Sequence, residues 1–340
     1  MNIKSILVTG GAGFIGTNFV YYMLKKHPEI SIINLDKLTY AGNVENLDTL
    51  KDDPRHEFVQ GDICDRALVG RLVQRADAIV NFAAETHVDR SIVDAGDFIR
   101  TDVEGTFCLL QASLEHGIKR FVQISTDEVY GDAGDTPSLE TDELMPRSPY
   151  AASKTGADRL AFSYWATHGL PVIVTRCSNN LGPFQYPEKL IPLFVTNAID
   201  NLQVPVYGSG RNTRDWIFVD DHCSAVDTIL HAGDEYNGEV FNIGSGNEYS
   251  VLQITGEIFK LLNKPDSLIK HVEDRLGHVK RHAVNTEKIR KTFGWKPAAD
   301  FESAIKKTVD WYVNNEPWWR RIKEKNKDYK AFMEEYYKNR

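Results

Sequence analysis

The run Ser5-Ile6-Leu7-Val8-Thr9 followed by Gly10-Gly11-Ala12-Gly13-Phe14-Ile15-Gly16 leaves few folds open. The compact apolar run reads as a buried strand, and Phe19, Val20 and Met23 beyond it recur at helical spacing. Between the two, glycines let the main chain turn tightly and approach a pyrophosphate, whose charge then rests at the helix N-terminus. Strand, glycine turn and helix in that order predict a dinucleotide site, in which Gly10, Gly13, Phe14, Ile15 and Gly16 meet the cofactor. A glycine pattern alone would fit a plain tight turn; the flanking elements decide between the two.

A second strand over residues 30–35 ends at Asp36, twenty residues after Gly16. An acid there hydrogen-bonds the ribose hydroxyls of adenosine and repels a 2′-phosphate, which favours NAD over NADP, whereas the adjacent Lys37 pulls the other way. A third strand near residues 56–59 leads into Gly61-Asp62-Ile63, with Asp62 and Ile63 placed for the adenine. Ala78-Ile79-Val80-Asn81-Phe82 reads as a fourth strand. It ends in Ala83 and Ala84, small enough for the cofactor to lie against the strand end. Helical patterns fill the gaps, notably over residues 101–115. The alternation predicts an α/β fold with a Rossmann-type, doubly wound parallel sheet, whose ligands bind beyond the carboxyl ends of the strands.

Residues 120–154 concentrate reactive groups. The buried-strand pattern Arg120-Phe121-Val122-Gln123-Ile124-Ser125 runs into Thr126-Asp127-Glu128, a hydroxyl and two carboxylates where sheet meets solvent. Tyr150 and Lys154 lie four apart and share a helix face. Taken singly, these are a solvated turn and a helix start with an exposed lysine. Together at one sheet edge they form a candidate reaction centre. Beyond Val172-Ile173-Val174-Thr175 the chain is rich in polar and turn-forming residues. Ile217-Phe218-Val219 and residues 239–243 look like strands, residues 251–262 like a helix, and residues 274–282 supply basic side chains. Residues 1–176 are read as the NAD-binding domain, with returning segments near 215–243. Residues 177–340 are read mainly as a smaller C-terminal mixed α/β substrate-binding lobe. It closes in a helical tail from Trp311 that docks Trp318 and Trp319 on the body.

The net charge of -8 leaves no basic footprint for nucleic acid. No apolar run is long enough to span a bilayer, and Met1-Asn2-Ile3-Lys4 leads straight into a strand, so a cytoplasmic protein without membrane contact is expected. Four cysteines without paired spacing fit free thiols in a reducing compartment. Ten histidines show neither HExxH nor grouped ligand spacing, so no metal is expected.

With Tyr150-x-x-x-Lys154, the glycine turn resembles that of the extended short-chain dehydrogenase/reductases. Within that group, Leu35-Asp36-Lys37-Leu38-Thr39-Tyr40-Ala41-Gly42-Asn43 and Ala84-Glu85-Thr86-His87-Val88-Asp89-Arg90-Ser91 are similar to the dTDP-glucose 4,6-dehydratases. So are Ser125-Thr126-Asp127-Glu128-Val129-Tyr130-Gly131 and residues 179–192. The likeness spans residues 4–312. It implies NAD as a retained cofactor, also contacted by Thr39, Thr101, Tyr150, Lys154 and Asn180. It implies a sugar-nucleotide substrate held by Thr86, Asn179, Lys189, Leu190, Pro205, Tyr207, Arg214, Arg275 and His278, with the two arginines on the diphosphate. Tyr150, its phenol lowered by Lys154 and the cofactor ring, would take the 4-hydroxyl proton while Thr126 polarises that oxygen. Glu128 would remove the proton on carbon 5, and a protonated Asp127 would release the 6-hydroxyl as water. A homodimer through the helix after Thr101 and the helix of Tyr150 is also implied.

The chain departs from that pattern at Val251 in Asn247-Glu248-Tyr249-Ser250-Val251, and at Gly277-His278-Val279-Lys280-Arg281-His282. Leu181 stands for a common Tyr, and Asp102 for a common Asn. These positions leave dTDP-glucose, UDP-glucose and UDP-N-acetylglucosamine open as substrates. A 4-epimerase of the same fold lacks the Asp-Glu pair, and non-catalytic NAD-sensing relatives tend to lose the Tyr-Lys pair.

Overall fold

The computed structural model describes residues 2–337; Met1 and the last three residues of the expected second lobe lie outside them. In chain order the strands are β1 (Ser5–Thr9), β2 (Ser31–Asp36), β3 (His56–Gln60), β4 (Ala78–Asn81), β5 (Arg120–Thr126), β6 (Val172–Cys177), β7 (Asn179–Leu181), β8 (Val204–Tyr207), β9 (Thr213–Phe218), β10 (Val240–Ile243), β11 (Glu248–Ser250), β12 (Ile269–Val272) and β13 (Arg281–His282). Seven of them form one parallel sheet in the order β10-β6-β5-β4-β1-β2-β3. The expected doubly wound α/β fold is what the chain adopts.

The strand sequences explain why both faces are covered. Ile6 and Val8 of β1 enter one apolar cluster and Leu7 the other; Ala78 and Val80 part from Ile79 of β4 in the same way. Side chains alternate across a strand, so a run that is apolar throughout needs helices on both sides. The chain builds β1 to β3 outward in one direction and resumes at β4 on the other side of β1. At that reversal the connections diverge and leave a crevice at the carboxyl ends.

After β6 a second body forms around β9, which pairs with β7 and β13 in parallel and with β11 in antiparallel; β8 and β12 make a separate parallel pair. Its core includes Leu181, Phe194, Trp216, Phe218, Ile254, Tyr312 and Trp319. The strand expected at residues 217–219 is displaced: β9 ends at Phe218, and Val219 begins the helix Val219–Leu230. Asp220 and Asp221 in that first turn suit the positive helix end. The helix Val251–Leu262 has the expected bounds and a Ser250–Gln253 capping box. The helix expected over residues 101–115 is present, but it is π-helical over Ile99–Gly105 and α-helical from Thr106 to His116. The tail is three helices, Phe301–Asn314, Glu316–Lys325 and Lys327–Tyr337.

Candidate active site

A cleft of about 300 Å³ opens where β1 and β4 end, and every residue expected to meet the cofactor or take part in the chemistry lines it. Gly10 has φ +71°, and a Cβ there would stand 2.7 Å from Ala83 N, so the turn requires glycine. A Cβ on Gly13 would meet only Gly10 O, at 3.3 Å; it would project into the space a pyrophosphate needs. Asp36 is buried and accepts from Ala12 N at 2.9 Å and Leu38 N at 2.8 Å, while burial raises its pKa. Each of its oxygens keeps a lone pair for a ribose hydroxyl. Lys37 is drawn aside to Asp62, at 2.9 Å. Asn46 braces the turn from behind: its Nδ2 donates to Ala12 O at 3.0 Å, and its Oδ1 accepts from Trp318 Nε1 at 2.8 Å. These residues fit a dinucleotide with an unphosphorylated ribose.

At the end of β5 the chain tightens into the 3₁₀ turn Asp127–Tyr130, capped by Thr126, whose Oγ1 accepts from Glu128 N at 3.2 Å and donates to Asp127 Oδ1 at 3.2 Å. Asp127 is buried, and its Oδ2 has no hydrogen-bond partner. Burial, and then the neighbouring Glu128, push its carboxyl up to about 8, so it is protonated at neutral pH. Tyr150 is held by a well-made helix start: Ser148 accepts from Ala151 N, and Pro149 occupies the first turn. The expected lowering of the Tyr150 phenol by Lys154 is not found. Burial, and then Glu128, Asp102 and Asp127, raise it well above its ordinary value, and only the Thr126 hydroxyl works against them. Lys154 Nζ donates instead to Ile124 O at 2.8 Å, tying the helix to β5.

The residues expected on the substrate divide. Thr86, Asn179 and Lys189 line the cleft, and Lys189 Nζ donates to the Thr86 hydroxyl at 3.0 Å. Tyr207, Arg275 and His278 gather beside them around Asp89: Tyr207 OH lies 3.2 Å and Arg275 Nη1 3.8 Å from its carboxylate, and the His278 ring meets Tyr207 edge-on. Arg214 is buried, donating to the carbonyls of Thr213 and Val279. Burial, and then the charge of Arg275, bring its pKa down to about 10. Two guanidiniums close enough to repel through a buried space form a receptor for a polyanion. Leu190 and Pro205, like Tyr207, Arg214, Arg275 and His278, are not among the residues that line the cleft itself. Leu190 packs against the second apolar core, and Pro205 sits on β8 opposite Lys270. Val251 likewise packs against that core, Leu181 lies within it, and the Val279 carbonyl serves Arg214. His282 is buried with both ring nitrogens unpartnered; burial, and then Arg214 and Arg275, hold it uncharged.

Sequence reasoning gave no role in the site to Glu85 or His222, and noted Asp102 only as a departure from the family pattern. Glu85 lines the cleft with its carboxyl raised to about 7 by burial and then by Asp102. His222 also lines it: Nδ1 meets Asn180 Oδ1 at 3.0 Å, Nε2 is unpartnered, and burial takes its pKa down to about 3. Asp102, on the π-helical turn, accepts from Glu85 N at 3.0 Å and from the Ser153 hydroxyl at 2.5 Å. Histidines with no grouped spacing do converge elsewhere. His27 Nε2 and His231 Nδ1 each lie 2.9 Å from Asp227 Oδ1, but Lys26 takes the other oxygen at 2.8 Å. That group is an ion-paired seam between two helices, and none of it lines the cleft.

Residues 7–308 match the family described as GDP-mannose 4,6 dehydratase. The low-salt glycan biosynthesis protein Agl12 of Haloferax volcanii is 51% identical over 311 residues, covering 92% of this chain and 99% of its own. The dTDP-glucose 4,6-dehydratase of an Actinoplanes species is 49% identical over 319 residues, with 92% and 99% covered. Among solved structures, DesIV, the dTDP-glucose 4,6-dehydratase of Streptomyces venezuelae with NAD bound, superposes with a TM-score of 0.91 at 46% identity, covering 94% of this chain and 99% of that one.

Proposed function

This chain belongs to the GDP-mannose 4,6 dehydratase family, and from that premise we propose that it is an NAD-dependent hydro-lyase, a nucleoside-diphosphate-sugar 4,6-dehydratase acting on dTDP-glucose. The observation that carries the reading is Asp127, a buried carboxyl raised to about 8, with one oxygen unpartnered, next to Glu128. Loss of water needs a proton donor and a proton acceptor side by side, and this turn supplies both. Relatives at about half identity named dTDP-glucose 4,6-dehydratase, and a solved one holding NAD, support the substrate and the cofactor.

The glycine turn, Asp36 and the wall formed by Ala83 and Ala84 hold NAD. When bound, it supplies a hydride acceptor and donor and a positive charge that favours the Tyr150 phenolate. Tyr150 takes the proton of the 4-hydroxyl, and Thr126 donates to that oxygen. The resulting 4-ketone acidifies the proton on carbon 5, which Glu128 removes. Asp127 gives its proton to the departing 6-hydroxyl. Lys154 fixes the helix of Tyr150 on β5 through Ile124 O. Arg214 and Arg275 hold the diphosphate, with Tyr207 and His278 beside Arg275 around Asp89. The product is a 4-keto-6-deoxy sugar nucleotide.

The test is a panel of dTDP- and UDP-hexoses, with and without N-acetyl groups, scored by mass in deuterated water. Water loss with deuterium at carbon 5, fastest on dTDP-glucose, is the expected result. A product of unchanged mass sinks the dehydratase and leaves an epimerase. Faster water loss from a UDP-sugar keeps the chemistry and moves the substrate.

The same proposal assigns residues 1–176 mainly to NAD and residues 177–340 mainly to the substrate, in a cytoplasmic homodimer. Val103, Phe107, Leu160 and Phe162 stay partly exposed on the helices offered for dimerisation. The four free thiols suit a reducing compartment, and no helix among the described residues is long and apolar enough to cross a membrane. Light scattering tests the dimer.

A further inference from the structure

The helices Glu316–Lys325 and Lys327–Tyr337 lie beyond residue 308, where the family match stops. The second of them reaches back to the substrate end of the cleft. Phe332 lies 4.2 Å from the Arg90 guanidinium carbon, and its ring meets that of His87 edge-on at 5.4 Å. Tyr40 lies 3.8 Å from the same guanidinium carbon, so Arg90 is held between two aromatic rings. Its fork is spent on Glu188, with Nη2 2.7 Å and Nε 3.2 Å from the carboxylate. The Glu188 side chain is fully buried and lines the cleft next to Lys189. Tyr40 OH donates to Thr86 O at 2.7 Å, and Lys189 donates to the same carbonyl at 3.1 Å. One turn earlier on the last helix, the buried Tyr329 meets Tyr186, another residue of the cleft wall.

We propose that the last helix is a positioning element for sugar-nucleotide binding: Phe332, which lies behind the cleft wall, clamps Arg90 so that Arg90 neutralises Glu188 beside the anion-binding residues. The physical need is plain. A buried carboxylate in the wall of a site for a diphosphate repels its ligand unless its partner stays in place. A guanidinium sandwiched between rings loses little further freedom when it pairs, and the ring faces add to its hold. Without Phe332 one face of the guanidinium opens, Arg90 gains alternative rotamers, and the Glu188 charge is felt in the cleft. The proposal rests on the function given above.

The experiment compares the full chain with Phe332→Ala, Phe332→Tyr and a chain ending after Asn326, which retains Trp318. dTDP and UDP are titrated by calorimetry, steady-state dehydration is measured, and NAD is counted per purified chain. Phe332→Ala and the shortened chain are expected to raise the nucleotide Kd and the KM by roughly 2- to 30-fold, the worth of one cation–π contact. Values of kcat should stay within about twofold, since the contact is equal in ground and transition states. NAD content should not change, and Phe332→Tyr should restore binding. Unchanged Kd and KM in both Phe332→Ala and the shortened chain overturn the proposal, as does a fall in kcat at constant KM. A full chain that binds neither nucleotide and dehydrates no sugar removes the functional reading and this proposal with it. A full chain that binds and turns over, with variants that match it, removes this proposal alone.

Discussion

The ammonium of Lys37 lies 2.9 Å from the carboxylate of Asp62, so the cation next in sequence to Asp36 is already engaged. A free lysine at that position would attract a 2′-phosphate; a paired one leaves Asp36 to decide. Asp62→Ala should therefore improve binding of NADP relative to NAD by roughly 1.5- to 5-fold, the scale of a partly exposed ion pair. Fluorescence titration of both dinucleotides measures it. An unchanged ratio would mean that Lys37 has no part in selectivity.

Asp127 must carry a proton to release water, and its carboxyl titrates at about 8 in the free enzyme. The proton is present below that pH and lost above it, so kcat/KM for dehydration should fall about tenfold per unit on the alkaline side. Asp127→Asn should lower water loss by roughly 10²–10⁴-fold, as expected for removal of a general acid, and the residual activity should lack that limb. A stopped-flow trace at 340 nm separates the steps: the first oxidation should survive the substitution while elimination stalls.

Asp102 should reveal itself in stability. Burial raises its carboxyl from 3.8 to about 6 in the folded protein. The folded state therefore holds the proton more tightly than the unfolded chain. The contribution to stability is complete below about pH 4 and is lost as pH rises through about 6, a loss of roughly 3 kcal/mol by pH 7. Asp102→Asn should remove that slope, which urea melts at several pH values would show as a difference between the two proteins. Because Asp102 also raises Tyr150, the variant should reach its full kcat/KM at lower pH. A parallel pair of stability curves would discount the buried charge.

The buried pair Arg176–Asp158 joins β6 to the helix of Tyr150, with Nε–Oδ2 at 2.9 Å and Nη2–Oδ1 at 3.1 Å. Arg176 also donates to Tyr130 OH at 2.8 Å, on the turn that holds Asp127 and Glu128. Asp158→Ala leaves a buried guanidinium without its anion and should cost about 3–5 kcal/mol, measured as a lower urea midpoint. Double replacement of Arg176 and Asp158 by apolar residues should recover part of that loss, and no recovery would point to the Tyr130 contact instead.

What could be read from the sequence follows the range of the interactions. The β1 strand, its glycine turn and Asp36 are local, and all of them stand where the residues predict. The helix Val251–Leu262 is equally local, with its cap written in Ser250 and Gln253. The strands β7, β8, β11, β12 and β13 have no period to read, because each is short and defined by a distant partner. Pairing between distant segments also decides which residues reach the cleft, and so Glu85 and His222 go unnoticed. The sign of the Tyr150 shift was equally out of reach, since it depends first on how deeply the fold buries the ring and then on Glu128, Asp102 and Asp127 around it.

The contact of Trp318 with Asn46, and of Asn46 with Ala12, joins residues made far apart in time, Trp318 and Asn46 being 272 positions apart in the chain. The glycine turn is made long before its brace. A nascent chain can assemble the parallel sheet early, since domains fold as their strands emerge. Its nucleotide cradle stays unbraced until the tail is free of the exit tunnel. Chains that stop before residue 315 lack that brace and should hold NAD more weakly than the full chain.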